Sequence, residues 1–595
     1  MDFSSIFHEA KSAYAYAADH ETIHLRLKTK KGLLSRVQVI AGDPFHYDQN
    51  GWVIDFQDDL VKEASTTHHD FYFGSFKPPF KRMKYAFLLD NRYVFGTSEI
   101  IDLNENPELK TNLFNYFNFP YILKADRFIA PTWASEQIWY SIFPSRFHRH
   151  ASAPRDKALK AWTDIDDLSN QFKYGGTIQG ITEKLDYLND VGFTAIYLTP
   201  IFKAYSQHKY DTIDYKEIDP EFGTFEDFKT LVEKAHEKGI KIVLDLVYNH
   251  IGAFHPWFQD VLKKGPSSSY FDYFFIKDKD KPLLPFSLDE LKDLPYAVIK
   301  EKITPETLNY ETFGFTPFMP KVNTDHPEVS DYFIEVSKFW LEETKVDGFR
   351  LDVSNEVSHR FWREFRTALK AMNPDLLIIG ENWDISNPWL RGDQYDSVMN
   401  YGLLFPLWQT FGHVKNMPKL SAVSFVERIN QLVTSYPKPV LKAMYNLVDS
   451  HDTARLLTLT DGHVKKFFQA YLFMFAFPGS PSVFYGDEIG VEGEHDPKNR
   501  RPMPWHAMNV EILNTFKTII QLRKDVKALR SVELSLSADE DIIVLNKENQ
   551  VLLLLNTGAP RTINLKIYGF DGAKALLESQ TGLTLEENGY KLYQK

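Results

Sequence analysis

"HPEVSDYFIEVSKFWLEETKVDGFRLDV", residues 326 to 353, changes its period part-way along. Up to Lys345 the apolar residues return at spacings of three and four (Val329, Phe333, Val336, Trp340), which reads as an amphipathic helix. The apolar run that follows, "VDGFRLDV", is too short for a helix and reads as a core strand. Yet it carries Arg350 and Asp352. Side chains at i and i+2 share a strand face, so these two charges point together while Phe349 and Leu351 point the other way.

The same helix-and-strand unit recurs on both sides. Strand candidates are "IWYSIF" (138–143), "TAIYLTP" (194–200), "IKIVLDLVYNH" (240–250), "VDGFRLDV" (346–353), "DLLIIGEN" (375–382), "DSVMNY" (396–401), "AMYNLVDSHD" (443–452) and "SPSVFYGDE" (480–488). Amphipathic stretches such as "TFEDFKTLVEKAHEKG" lie between most of them. Eight strands in this alternation predict an α/β fold, a (β/α)8 barrel. An open doubly wound sheet is the alternative, and the absence of a phosphate-binding glycine fingerprint weighs against it. About a hundred residues separate the third strand from the fourth, an insertion expected to rise over the rim where barrel active sites sit.

Polar residues gather where those strands end. Asp245, Asn249 and His250 close the third, Arg350 and Asp352 the fourth, Glu381 the fifth, and His451 and Asp452 the seventh. One strand-end aspartate is usually a cap or a loop hydrogen-bonder, and Arg350 with Asp352 alone reads as a structural buried ion pair. Four strand ends delivering such groups to one rim point to chemistry instead. Two carboxyl groups flanking a cavity are the minimal equipment for glycoside hydrolysis.

The flanks read differently. Residues 1–122 hold short alternating segments such as "TIHLRLKT" and "SRVQVIAGDPF", which predict a β-sandwich, and 531–595 hold segments such as "DIIVLNKENQVLLLLNTG", which predict a small antiparallel β domain. The barrel is then 123–530, with an inserted subdomain at about 251–325. A net charge of -12 argues against a nucleic-acid partner, and no apolar segment reaches the length of a membrane span. No cysteine is present, so thiolate chemistry and disulfides are excluded. No secretory n- and h-region opens the chain, so the expected location is cytoplasmic.

Four segments carry a family resemblance: "DLVYNH" (245–250), "GFRLDVSNEV" (348–357), "GENW" (380–383) and "NLVDSHDT" (446–453). In order and spacing they resemble the signature regions of the α-amylase family, glycoside hydrolase family 13. "MPKVN" (319–323) is similar to the extra region of its neopullulanase, cyclomaltodextrinase and maltogenic amylase subfamily. The resemblance implies a retaining α-glucan hydrolase with Asp352 as nucleophile, Glu381 as general acid/base and Asp452 as the third, sugar-binding carboxylate. It implies that Tyr210 stacks on the sugar at the cleavage site and that His250, Arg350 and His451 orient ring and nucleophile. Asn355, Glu356 and Trp383 would line the leaving-group side. For Trp383, packing beneath a loop is the alternative. Phe313 is assigned to the substrate as well, against the alternative that it and Phe315 build the insertion's own core.

The resemblance further implies a homodimer in which the N-terminal domain walls the partner's cleft, with Phe45 of "GDPFHY" reaching substrate in trans. A buried sandwich aromatic is the competing reading of Phe45. No cofactor is expected to be required. The subfamily's calcium loop reads "RFHRHASAPRD" and "YGGTIQG" here, with Thr177 in the place of a carboxylate, so that site is expected to be lost; for Asn249 the resemblance offers calcium binding as in true α-amylases, against which a structural hydrogen bond is the expected role. Two other functions stay open: a catalytically silent carbohydrate-binding scaffold, and a glucanotransferase using the same covalent intermediate.

Overall fold

The computed structural model describes residues 3–151, 158–166, 168–292, 294 and 296–595. Eight parallel strands form its centre: β1 Trp139–Ile142, β2 Ala195–Leu198, β3 Lys241–Val247, β4 Gly348–Asp352, β5 Leu377–Gly380, β6 Ser397–Val398, β7 Tyr445–Asn446 and β8 Ser480–Phe484. Neighbours pair in the order β6-β5-β4-β3-β2-β1-β8-β7. A parallel bridge between Met399 and Tyr445 joins the two ends, so the sheet closes into a barrel. Seven of the eight strands are buried at every position, and β3 at all but Lys241, which is why they read as apolar runs instead of alternating ones.

Helices cover the outside. Pro327–Thr344 buries Val329, Phe333, Val336 and Trp340, the residues whose spacing announces it, and ends on Lys345 in the left-handed conformation. Phe225–Glu237 opens with a capping box between Thr224 and Asp227.

The chain leaves β3 into the insertion, which contains helices Pro256–Lys264, Leu288–Leu291 and Tyr296–Lys302. It returns antiparallel beside its own point of departure. His250 bridges Lys321, Ile251 N donates to Pro320 O at 3.1 Å, and Val322 N donates to Asn249 O at 3.0 Å. This pairing brings "MPKVN" to the barrel rim.

The N-terminal strands are antiparallel throughout. Phe56–Ser65 is shared by two layers: its first half pairs with Val37–Gly42 and its second with His69–Phe76, with a register shift between Lys62 and Ala64. Leu25, Leu27, Val39, Tyr85 and Phe87 fill the space between. Ser535–Asp539, Ile542–Lys547, Val551–Asn556, Tyr590–Gln594 and Lys574–Glu578 form the C-terminal antiparallel sheet. Among the described residues no helix is long and apolar enough to cross a membrane.

Candidate active site

Arg350 is the hub. Its side chain is buried, and Nη1 donates to both carboxylate oxygens of Asp245 at 3.0 Å and to Asp352 Oδ1 at 2.8 Å. Its Nη2 lies 2.9 Å from Glu381 Oε2. One guanidinium thus faces three carboxyl groups from three adjacent strands, hydrogen-bonded through Nη1 to Asp245 and Asp352 and ion-paired through Nη2 with Glu381. The strand register explains the meeting: Asp245 is paired with Arg350 across β3 and β4, and Leu351 with Gly380 across β4 and β5, so Asp352 and Glu381 leave the barrel side by side.

Two hydrogen-bond donors fix Glu381. Val353 N reaches its Oε2 and Trp383 Nε1 its Oε1, each at 2.9 Å. Val353 adopts φ +44°, which is costly for a β-branched residue and typical of backbone strained around a functional group. Beneath it, Ser354 Oγ donates to Asn382 Oδ1 at 2.9 Å and Glu381 O at 3.2 Å. A Cβ on Gly380 would lie 2.5 Å from the Tyr395 ring and 2.9 Å from Ser354 Oγ, so glycine is needed at this close approach.

A second cluster adjoins the first. Tyr210 donates to Asp245 Oδ2 at 3.0 Å, and its ring stacks on that of His451 with centroids 5.6 Å apart. His451 Nε2 stands 3.0 Å from Asp452 Oδ2 and is hydrogen-bonded to the Tyr210 hydroxyl. Arg500 lies 3.4 Å from Asp452 Oδ1 and also donates to His451 O. Tyr197 adds a bond of 2.6 Å to Asp245 Oδ2. Tyr197 and Arg500 are site residues that the sequence reading does not select, and Asp245, counted there among the polar strand ends, is given no role by it. Asp245 stands inside a quoted signature without any mark of its partner, and nothing in the letters around Arg500 places it here.

The electrostatics follow from three carboxyls sharing one cation. Burial, together with the charges of Glu381 and Asp245, pushes Asp352 well above the usual carboxylate range against the pull of Arg350. Asp245 is raised as well, by burial. Burial pushes Asp452 upward too, but His451, Arg500 and Arg350 outweigh it and hold its carboxyl low.

The remaining candidates line the rim. His250 stacks on Phe313 with centroids 4.9 Å apart, and Phe313 is 41% exposed, so it faces the opening instead of the insertion's core; Phe315 is exposed too. Trp383 is half-exposed and stacks on Tyr401 at 4.3 Å, next to the acid cluster. Asn355 and Glu356 are exposed on the 3-10 turn Ser354–Glu356 that follows β4. Phe45 stands apart on the N-terminal domain, 74% exposed, with Arg82 4.9 Å from its ring centroid; it is not a core aromatic of the sandwich.

The segments that correspond to the subfamily's calcium loop lie only partly within the described residues. Residues 152–156 of "RFHRHASAPRD" lie outside the described residues. Of the rest, His148 and His150 each approach Glu183 at 3.3 Å, and Thr177 caps the helix Ile178–Glu183 by accepting from Gly180 N. Lys321 Nζ donates to Asn249 Oδ1 at 2.6 Å.

Residues 141–541 match the model of the alpha amylase catalytic domain, and residues 1–123 that of the alpha amylase N-terminal ig-like domain. The chain belongs to the α-amylase family of glycoside hydrolases. It is 43% identical to a cyclomaltodextrinase of Geobacillus thermopakistaniensis (strain MAS1), over 91% of this chain and 88% of that protein. It is 38% identical to the intracellular maltogenic amylase of Bacillus subtilis (strain 168), over 99% of this chain and 97% of the relative. A solved cyclomaltodextrinase superposes with a TM-score of 0.86 at 34% identity, covering 100% of both chains.

Proposed function

We propose that this α-amylase family hydrolase cleaves α-1,4-glucosidic bonds in small α-glucans, cyclodextrins and maltooligosaccharides foremost, with pullulan and starch as further substrates. The observation that carries the reading is the Arg350 hub, which holds Asp352 and Glu381 side by side at the mouth of the barrel. Asp352 is the nucleophile. Its carboxylate attacks the anomeric carbon as the glycosidic bond breaks, and Glu381 gives its proton to the departing oxygen. Water, deprotonated by Glu381, then displaces Asp352 and restores the α configuration.

One proton held within the Asp352–Glu381 pair suffices, provided that it is on Glu381 at the moment of attack. Asp452, ionised through His451 and Arg500, accepts from sugar hydroxyls, and Tyr210 presents its ring to the sugar. Trp383, Asn355 and Glu356 form the side from which the leaving sugar departs and a sugar acceptor enters, so transfer competes with hydrolysis when acceptor is abundant.

The reaction runs without a cofactor. The Asn249 oxygen that would serve a calcium ion accepts from an ammonium group instead. Two chains associate through their N-terminal domains, Phe45 of each bordering the other's cleft, and the likeness to an intracellular maltogenic amylase supports a cytoplasmic setting.

Parallel incubation with β-cyclodextrin, pullulan and soluble starch tests the reading. Ring opening faster than starch cleavage, with products released as α anomers, is expected. Release of β anomers would overturn the retaining mechanism, and failure to open the ring would overturn the substrate class.

A further inference from the structure

Lys321 does more than hold the insertion against the rim. Its Nζ donates to Asn249 Oδ1 at 2.6 Å, and at 3.1 Å to both Glu356 Oε2 and Glu356 O. An ammonium group only donates, so the atom of the Asn249 amide that faces it must be the oxygen. The amide nitrogen is then turned the other way, where it lies 3.2 Å from His250 Nδ1. That nitrogen can only donate, so Nδ1 accepts. A neutral His250 must therefore carry its proton on Nε2.

We infer that Lys321 acts through Asn249 as a tautomer lock on His250, keeping Nε2–H as a donor for an oxygen of the sugar in the cleavage subsite. This rests on the glycosidase reading of the site. Two observations support it beyond the chain of bonds. His250 Nε2 is buried and makes no hydrogen bond of its own. Burial first and the Lys321 charge second, against the backbone of Tyr210, hold His250 down to about 3, so the ring is neutral and its tautomer matters. Lys321 on the insertion and His208 on the loop after β2 are the titratable groups that bear on it, and Phe313 covers its face.

Lys321 and Asn249 are positioning residues in this scheme, and a substitution that preserves shape while reversing the bond separates the lock from simple support. Asn249→Asp keeps a partner for Lys321 but offers His250 only acceptors, so a neutral ring turns its proton to Nδ1 and Nε2 becomes a lone pair. Its melting temperature should stay at the wild-type value. Its kcat/KM on β-cyclodextrin, as a ratio to wild type, should fall at least tenfold at pH 8 and recover as pH falls, because the new carboxylate beside the ring favours the imidazolium, which donates from both nitrogens. Lys321→Met, which frees the amide to turn but leaves the ring buried and neutral, should show a loss at pH 8 without that recovery.

Nitrogen-15 spectra of histidine-labelled protein, with His250 assigned by comparison with His250→Gln, read the tautomer without reference to activity. Wild type should show a protonated Nε2 and a bare Nδ1. A wild-type ring protonated on Nδ1, full activity of Asn249→Asp at pH 8, or a loss in Asn249→Asp that is uniform across pH would each overturn the lock. Inability of wild type to cleave any glucan would instead defeat the glycosidase reading, and the spectra would still decide the tautomer.

Discussion

Asp352 is kept in a site that disfavours its working form. Burial and two neighbouring carboxyls raise its folded pKa above that of the unfolded chain, so its contribution to stability is whole below the unfolded value and is lost as pH rises through the folded one. Asp352→Asn removes that liability. The variant should lose cyclodextrin hydrolysis and yet melt higher than wild type at pH 7, by about 2 °C, with the gain vanishing towards pH 4 in calorimetric scans. Asp245 gives a second handle. Its charge raises Asp352, so Asp245→Asn should lower the pKa of the nucleophile, and the acid limb of kcat/KM should move to lower pH while overall activity falls with the lost Tyr210 and Arg350 bonds. A limb that stays in place or moves upward in a pH–rate profile would show that Asp245 does not govern the proton on Asp352.

The segment after β4 shows how an element is built around a reactive group. Val353 is forced into the left-handed region so that its N–H meets Glu381, and Ser354 ties the turn to β5 through Asn382 and the backbone of Glu381. Ser354→Ala leaves two buried acceptors without that donor, at a cost of about 1–3 kcal/mol. Denaturant melts should show the loss, and kcat on cyclodextrin should drop only severalfold, since Trp383, Val353 and Arg350 still hold the carboxyl. Much of this element was readable beforehand. Two-sided burial makes a barrel strand a continuous apolar run, and the period of two puts Arg350 and Asp352 on one face. The hydroxyl of Ser354 was not readable, because its partners lie on the next strand. The antiparallel return of the insertion beside β3 was hidden for the same reason, as pairing register is a property of two segments. β6 and β7 are only two residues each, shorter than the segments 396–401 and 443–452 suggest.

The N-terminal domain is fastened to its own barrel by a few buried polar contacts. Arg26 pairs with Glu63 at 2.9 Å and donates to Thr434 O at 2.9 Å, while Asn430 Nδ2 donates to Ser65 O at 2.9 Å. Lys438 completes the seam, standing 3.7 Å from Glu63 and 2.7 Å from Glu533 of the C-terminal region. The family resemblance proposes a domain that walls a partner's cleft, and the structure adds that its loop carries Phe45 and Tyr47 exposed while this seam fixes the domain's orientation. An aromatic ring so exposed contributes little to the stability of its own chain, and burial against a partner or a sugar is what would give it energetic weight. Phe45→Ala should therefore melt at the wild-type temperature. If the ring borders the neighbouring cleft, the KM for β-cyclodextrin should rise severalfold with kcat nearly unchanged, and the KM for soluble starch should move less, because a long chain makes contacts beyond that ring. Light scattering after size exclusion belongs with the kinetics: wild type should elute as a dimer, and a monomer with unaltered cyclodextrin KM in the variant would remove the trans role of Phe45 altogether.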